Sequence, residues 1–320
     1  MLCADCGLRP VVYRRTRCLE CLSGKPMRES HPSEYRPEDH AGKREALRHY
    51  FQGAGGSRNH GHGAGGAAVK SCVDVWSCGG GTQSGAIASL IADGRLPRPD
   101  YAYMINTGRE GSGTWPFVDG FIRPALASAG VELTIVKTEQ FERVDVFWNG
   151  SILLPGYTTQ GGSVGKLSPF CSGKWKRDVG ERWMRSIGIE RATQWIGISR
   201  DEASRIRAQH RAWLAVRYPL IFDVPMTRLR CVEEIRSQGW LGAIPHSACW
   251  MCPNHSDDEW LDMKMHLPND FEAACSLERE ARMDDPHFYL HPSCVPLGEV
   301  DFTAQYTMFT DRGCTGGCFT

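Results

Sequence analysis

The sequence predicts an α/β fold in which a parallel sheet is covered by helices on both faces. From residue 68 onward, apolar strand-like runs alternate with helical patterns. Three consecutive glycines separate the first of these strands from the first of these helices. The chain of 320 residues also holds 14 cysteines, many of them in closely spaced pairs, which indicates metal or redox chemistry beside the sheet.

The elements follow from local patterns. The stretch "VKSCVDVW" predicts a buried strand. The apolar face Ala86, Ile87, Leu90 and Ile91 predicts a helix, and Gly94 ends it. Later elements are a strand at "DYAYMINTG", a helix at "TWPFVDGFIRPALASAG" that ends at Gly130, and strands at "VELTIVKT" and "TQWIGIS". The last strand leads into a helix that is predicted to begin with a capping box, Ser199-x-x-Glu202.

Composition sets few limits on function. Lys+Arg and Asp+Glu balance at 37 each, so net charge favours neither an acidic nor a basic partner. No run is apolar enough to span a bilayer, and the N-terminus has no signal-peptide pattern. We therefore expect a cytoplasmic protein with no membrane partner. In that reducing compartment, clustered cysteines indicate metal or redox chemistry rather than disulfides.

The first region, residues 1–24, is predicted to be a zinc ribbon. Two C-x2-C pairs provide four thiolates for one tetrahedral Zn²⁺, and their members are Cys3, Cys6, Cys18 and Cys21. So short a segment cannot bury a core without a metal; the alternative is a reducible or disordered pair. We expect residues 25–66 to form a glycine-rich linker, residues 67–215 to form the domain that holds the sheet and the glycine triplet, and residues 216–320 to form a cysteine-rich C-terminal region. The excess of Lys and Arg over acidic residues before the sheet permits a nucleic-acid contact.

The glycine triplet is the candidate ligand site. In "SCGGGTQSGAIASL", Gly79, Gly80 and Gly81 lie between a strand and a helix N-terminus, where backbone N–H groups bind phosphate or sulfate. Ser84 can add a hydroxyl donor. The stretch lacks the Gly-Lys-Ser/Thr of a Walker loop and does not match GxGxxG. A plain tight turn is the alternative.

A second cysteine pair lies beyond the predicted sheet. Cys249-x2-Cys252 is followed by Pro253 and by a second capping box, Ser256-x-x-Glu259. The box places this knuckle immediately before a helix.

These motifs resemble a known family. "SCGGGTQSGAIASL" resembles the modified P-loop of the adenine-nucleotide alpha-hydrolase (PP-loop) superfamily in its phosphoadenosine-phosphosulfate (PAPS) reductase branch. "MINTGRE" resembles the second-strand motif of that branch, and "IGISRDEASR" and "YPLIFDVPMTRLRC" resemble its downstream signatures. The resemblance runs from about residue 70 to the C-terminus. It is closest to phage-type PAPS reductase-like proteins and to the sulfur-transfer enzymes of DNA phosphorothioation; a phage-encoded chain would act in the host cytoplasm.

The resemblance implies a Rossmann-like parallel sheet with a PP-loop that binds an adenine nucleotide, either PAPS or ATP. The residues that it assigns to the nucleotide are Ser77, Gly79, Gly80, Gly81, Gln83, Ser84, Thr107, Gly108 and Glu110. Gln83 and Asn106 depart from the family, which carries Asp at both positions. Each departure removes a carboxylate that could hold Mg²⁺, so the requirement for Mg²⁺ stays open.

The resemblance also implies a metal centre. Cys171 and Cys231 would complete a set of four thiolates with Cys249 and Cys252, which suits a [4Fe–4S] cluster. Structural zinc and unliganded buried thiols are the alternatives. With only three ligands, the open iron position could hold a sulfide. Lys174, close to Cys171, is predicted to act catalytically by neutralising a phosphate or sulfate; a solvated basic turn is the alternative.

The C-terminal tail supplies the last candidates. Cys314 and Cys318 resemble the tail cysteines with which PAPS reductases attack the sulfonucleotide, which implies a catalytic role. The short catalytic motif of the reductases is not reproduced here. Exposed tail thiols or further metal ligands are the alternatives.

Three functions remain open. The main reading is a PAPS reductase-like oxidoreductase that needs a thiol reductant. The second is ATP-dependent sulfur transfer onto a nucleic acid such as DNA or tRNA, or onto a small molecule, from a sulfur donor protein and through an adenylated intermediate. The N-terminal ribbon favours this second reading, because reduction of a free nucleotide needs no ribbon. The third is a non-catalytic zinc-ribbon adaptor that binds a nucleotide.

Overall fold

The computed structural model describes residues 72–144, 147–148, 151–152, 154–167, 170–206 and 211–303. Its centre is a five-stranded sheet in which every neighbouring pair of strands is parallel. The prediction of an α/β fold with a parallel sheet is therefore confirmed. The strands of this sheet are β1 Val73–Cys78, β2 Tyr101–Asn106, β3 Leu133–Lys137, β8 Ala192–Ile196 and β9 Leu214–Arg217.

The strand order, β3-β2-β1-β8-β9, places a topological switch point at the end of β1. The chain leaves β1 towards β2 and β3 and later returns to β8 on the opposite side of β1. Connections that diverge in this way leave room for a ligand at the carboxyl ends of the two central strands. The glycine triplet follows β1 directly, so it lies at this point.

The helices cover both faces of the sheet. Their bounds are α1 Thr82–Ala92, α2 (Thr114–Phe117, π-helical Val118–Ile122 and Arg123–Ser128), α3 Asp178–Ser186, α4 Pro219–Phe222, α5 Arg228–Ser237, α6 Asp257–His266 and α7 Pro268–Asp284. A π-helical turn, Ser172–Arg177, runs directly into α3, and three short 3₁₀ segments are Thr138–Gln140, Arg200–Arg205 and Leu297–Glu299. Gly94 ends α1 with φ +69° and an N–H bond to Ile91, as predicted.

Alternation along β1 sends its side chains into two cores. Trp76 packs with Leu90 of α1 and Ile235 of α5 on one face. Val75 packs with Met184 of α3 on the other face. Each of these fully buried side chains contributes about 1.5–3 kcal/mol of transfer free energy.

A third core lies in the C-terminal part, where α6 and α7 enclose Trp260 and Phe271. A small antiparallel sheet packs against it through Phe288. Its strands are β6 Tyr157–Thr158, β7 Gly165–Lys166 and β10 Phe288–Tyr289. A separate two-stranded ribbon pairs β4 Phe147–Trp148 with β5 Ser151–Ile152.

Two features of the region after β8 differ from the prediction. A short 3₁₀ segment replaces the expected helix, and Ser199 does not cap it through its side chain. The Ser199 hydroxyl instead donates to the Glu202 carboxylate at 3.2 Å. The strand β9 was not predicted, and the predicted domain boundary between residues 215 and 216 falls within it. Among the helices that the structure describes, none is long and apolar enough to cross a membrane.

Candidate nucleotide and sulfur site

The glycine loop joins β1 to the N-terminus of α1 at the carboxyl edge of the sheet. Gly81 is the N-cap residue of α1, and no side-chain hydrogen bond caps the helix there. The first N–H groups of α1 have no partner within the helix. Such a terminus carries partial positive charge and suits an anion. Gly80 has φ +73°, and an added Cβ would lie 2.7 Å from Met104 Cε and 2.9 Å from Thr114 Cγ2. Both the backbone conformation and the lack of space require glycine at this position.

Ser84 braces the loop from within. Its hydroxyl oxygen accepts the N–H of Gly79 at 2.8 Å, and its side chain is almost fully buried. This bond closes the turn between β1 and α1. Ser84 therefore shapes the predicted anion loop, and its hydroxyl also hydrogen-bonds the Cys78 thiol, whose pKa is raised to about 11, chiefly by burial.

Ser77, predicted to contact the nucleotide, lies in the sheet instead. It is 5% exposed and hydrogen-bonds the hydroxyl of Tyr103, whose pKa is raised to about 12, chiefly by burial. Alternation along β1 places Ser77 on the same face as Val75. The structure thus places Ser77 among the buried residues, and its contact with a nucleotide stays a prediction.

The Gln83 side chain bonds the segment that follows β8. Its amide nitrogen donates to the Glu202 carboxylate at 2.6 Å and to the Ser199 hydroxyl at 3.3 Å. Glu202 pairs with Arg205 as well. Gln83 thus links α1 to the segment that follows β8, and its contact with a nucleotide stays a prediction.

The segment that contains Pro245 and Ser247, more than 160 residues further along the chain, contacts the loop. The Ser247 hydroxyl donates to the carbonyl oxygen of Gly79 at 2.6 Å. The Thr82 hydroxyl donates to the carbonyl oxygen of Pro245 at 3.4 Å. A Cβ on Gly81 would lie 2.7 Å from the backbone nitrogen of Ser247. Sequence reasoning missed Pro245 and Ser247, because no local signal marks a contact made across the whole sheet.

The end of β2 forms the neighbouring part of the site. The Glu110 carboxylate accepts the backbone N–H of Thr107 at 3.1 Å and its hydroxyl at 2.8 Å. Gly108 has φ +73°, and its N–H donates to the Asn106 side chain at 2.7 Å. Asn106 therefore makes a local turn at the position where the family carries Asp.

The cysteine knuckle lies against this turn. Cys249 forms an antiparallel bridge with Glu110, and its sulfur is 3.9 Å from the Thr107 hydroxyl. The N–H of Cys252 donates to the carbonyl oxygen of Cys249 at 3.1 Å, which makes the two cysteines the ends of one tight turn. The predicted capping box of Ser256 and Glu259 is confirmed at the start of α6.

The backbone of Arg109 contacts the knuckle. The N–H of Trp250 donates to the carbonyl oxygen of Arg109 at 3.0 Å. The Arg109 guanidinium lies 5.1 Å from the centre of the Trp175 ring and donates to the carbonyl oxygen of Val144 at 2.8 Å. Arg109 belongs to the quoted motif "MINTGRE", yet it was not singled out from the sequence.

Cys171 lies at the start of the π-helical turn and contacts the same C-terminal core as Cys249. Lys174, predicted as a catalytic cation, is exposed and pairs with Asp178 one helical turn later at 3.5 Å. This pairing matches the alternative of a solvated basic turn.

Cys231 lies elsewhere. It is fully buried on α5 in the core shared with α1, and burial raises the pKa of its thiol to about 12. Cys171 and Cys249 instead contact the C-terminal core. The structure thus places Cys231 in a different core from Cys171 and Cys249, and its role as a fourth ligand stays a prediction. A helix surface that packs against α1 needs a small apolar side chain there.

Within the described part of the chain, no group of three or more His, Cys, Asp or Glu side chains is arranged to hold a metal ion. Cys249 and Cys252 match the soft ligands of zinc or of an iron–sulfur cluster, but the described residues do not form a complete site. The predicted zinc ligands of the ribbon and the tail cysteines Cys314 and Cys318 lie outside the described residues.

Comparisons with known proteins add one finding. No protein-family model matches the chain, and no curated protein matches it. Among solved structures, the chain is similar to the U34-tRNA thiolase NcsA from Methanococcus maripaludis with its [4Fe-4S] cluster. The sequence identity is 15%, the TM-score is 0.38, and the match covers 99% of this chain and 94% of that chain.

Proposed function

We propose that this protein is an enzyme that binds ATP at the glycine loop and transfers sulfur to an acceptor through an adenylated intermediate. The sulfur chemistry takes place at the knuckle of Cys249 and Cys252. The acceptor class is a nucleic acid or a small molecule with an activatable oxygen. Among the functions that the sequence left open, this is the second.

One observation carries the proposal: a single short segment contacts both parts of the site. Ser247 bonds the glycine loop at Gly79, and two residues later Cys249 contacts Thr107 at the end of β2. The ends of β1 and β2 are adjacent because the two strands pair directly. A nucleotide phosphate at the loop and a sulfur atom at the knuckle would thus share one crevice.

This proximity supports a definite order of chemistry. An oxygen of the acceptor attacks the α-phosphorus of ATP, and pyrophosphate leaves. A sulfide ion, supplied by a sulfur donor and held at the knuckle, then attacks the acceptor carbon; a C–S bond forms, the C–O bond breaks, and AMP leaves with the acceptor oxygen. The N-terminus of α1 would stabilise the negative charge on the phosphates.

The same geometry favours transfer over PAPS reduction. A reductase of the PAPS family needs a tail thiol to reach the nucleotide, whereas the knuckle cysteines already contact the carboxyl edge of the sheet. The position of Cys231 in the core leaves Cys171, Cys249 and Cys252 as the candidate ligands among the described cysteines. A [4Fe–4S] cluster and zinc remain the candidate cofactors, and analysis of iron, sulfide and zinc in anaerobically purified protein distinguishes them.

The deciding experiment measures pyrophosphate and sulfite in parallel. Full-length protein, purified anaerobically, is given ATP and sulfide with or without tRNA or DNA, and separately PAPS with thioredoxin. We expect pyrophosphate release from ATP that a nucleic acid stimulates, and no sulfite. Cys249→Ala should keep ATP binding and lose sulfur incorporation. The control, Cys275→Ala, removes a buried thiol of the C-terminal core and should retain incorporation.

Each other result contradicts the proposal in a specific way. Sulfite release from PAPS without pyrophosphate release from ATP would restore the reductase reading. Nucleotide binding with neither product would support the adaptor reading.

A further inference from the structure

A connected row of side chains, Arg228, His246, Glu259 and His255, leads to the backbone of the knuckle. The proposed chemistry does not use these side chains. Glu259 Oε1 lies 2.7 Å from Nδ1 of His246, and Arg228 Nη2 lies 2.7 Å from Nε2 of the same imidazole. A guanidinium only donates, so Nε2 of His246 accepts from Arg228. Nδ1 then carries the proton that is donated to Glu259. His246 is thereby oriented from both sides.

His255 continues the row to the knuckle itself. Its Nδ1 lies 3.7 Å from Glu259 Oε2, and its Nε2 lies 2.9 Å from the carbonyl oxygen of Cys249. The carbonyl only accepts, so Nε2–H is the donor. The imidazole is 7% exposed and packs edge-on against Trp260 at 4.8 Å. A buried ring held in this way fixes the first residue of the Cys249–Cys252 turn.

Glu259 unites three roles in one carboxylate. It contacts both histidines, and Oε2 also accepts the N–H of Ser256 at 2.9 Å in the capping box. Burial acts to raise the pKa of Glu259, but the hydrogen bonds from His246 and His255 outweigh it and hold the pKa well below its usual range. The carboxylate is therefore ionised at neutral pH. Its 2.7 Å bond from His246 is charge-assisted, the stronger class of hydrogen bond, whereas its contact with His255 is longer, at 3.7 Å.

We propose that Glu259 and His255 are positioning residues for Cys249. Glu259 fixes His246 by a hydrogen bond and contacts His255 at 3.7 Å, and His255 holds the carbonyl of Cys249 so that the thiol faces Thr107. This inference rests on the proposed function, in which Cys249 belongs to the reactive site. We call Glu259 with His246 and His255 the clamp. The two histidines flank the segment that carries Ser247, so the clamp also holds the residue that bonds the glycine loop at Gly79.

Site-resolved alkylation tests the inference without any enzymatic activity. The full-length protein, as purified under anaerobic and reducing conditions, is treated with iodoacetamide, and labelling of each cysteine is followed by mass spectrometry. The variants are Glu259→Gln, His255→Ala, His255→Gln and Ser256→Ala. The exposed Cys72 and the buried Cys78 are internal references for reagent and for unfolding.

Loss of the clamp should open the knuckle. We expect Glu259→Gln and His255→Ala each to raise the labelling rate of Cys249 about tenfold, as loss of a charge-assisted or buried hydrogen bond allows. His255→Gln keeps an N–H donor near the Nε2 position and should stay within about twofold of the wild-type rate. Ser256→Ala weakens the helix cap alone and should leave the labelling of Cys249 unchanged.

Two results overturn the inference. One is a wild-type labelling rate of Cys249 in both Glu259→Gln and His255→Ala. The other is an equal increase in Ser256→Ala, which would assign the effect to the helix cap. If Glu259→Gln unfolds, Cys78 is labelled in parallel, and the comparison of His255→Ala with His255→Gln then decides. The outcome is independent of pyrophosphate release, so a failure of the proposed function is seen separately.

Discussion

The Ser247 hydroxyl donates to the carbonyl oxygen of Gly79 at 2.6 Å, although 168 residues separate them in the chain. This bond joins the C-terminal part of the protein to the loop between β1 and α1. It also brings the backbone of Ser247 so close to Gly81 that a Cβ there would lie 2.7 Å from its nitrogen. The loop is therefore shaped by the segment that leads to the cysteine knuckle.

Ser247→Ala should weaken nucleotide binding, because the carbonyl of Gly79 loses its donor and the loop relaxes. We expect an affinity for ATP about fivefold lower, equivalent to about 1 kcal/mol, in titration calorimetry. The matched control is Ser237→Ala, whose hydroxyl donates to the carbonyl of Glu234 at 2.7 Å on α5. Equal ATP affinities in the two variants would contradict the assigned role of Ser247.

Gly80→Ala should destabilise the fold more than Gly94→Ala does. Both glycines have positive φ, +73° and +69°, but only Gly80 is crowded; a Cβ on Gly94 meets nothing within 4 Å. The backbone conformation costs about 1–2 kcal/mol in each variant. The contacts with Met104 and Thr114 should add about 1–3 kcal/mol for Gly80→Ala. Urea unfolding measures both free energies, and equal losses would show that the loop has spare room.

Stability should fall at alkaline pH, and Cys231 should contribute to the fall. The pKa of its buried thiol is raised from 9.0 to about 12, so the folded state keeps the proton that the unfolded state releases. The stabilising contribution is fully present below pH 9 and is lost as the pH rises towards 12. By pH 10.5 the loss is about 2 kcal/mol.

The measurement compares Cys231→Ala with the wild type in urea at pH 8, 9 and 10.5, in the presence of a reductant. The variant is less stable at pH 8, because it leaves a small cavity in the core, but its free energy of unfolding should decline less steeply. Parallel pH curves would argue against a neutral, buried Cys231.

Local signals were read correctly where the partners are near in sequence. The capping box of Ser256 and Glu259 and the end of α1 at Gly94 are both present, because each depends on bonds within a few residues. The same reasoning failed for Ser199 and Glu202. There Gln83, more than a hundred residues earlier, donates to the Glu202 carboxylate at 2.6 Å. The Glu202 carboxylate, which a capping box would use locally, thus accepts a hydrogen bond from the distant Gln83.

The sequence by itself determined the alternation of strands and helices, the glycine loop after the first strand and the C-x2-C knuckle before a helix. Periodicity, glycine conformation and capping are properties of short stretches. Only the tertiary structure decided which cysteines face the crevice and that Ser247 covers the loop. Cys231 and Cys249 are the same residue type, but their surroundings differ. Cys231 packs in the core that contains α1, whereas Cys249 pairs with Glu110 in the turn after β2. Such packing is set by contacts between distant segments, which residue type and spacing do not encode.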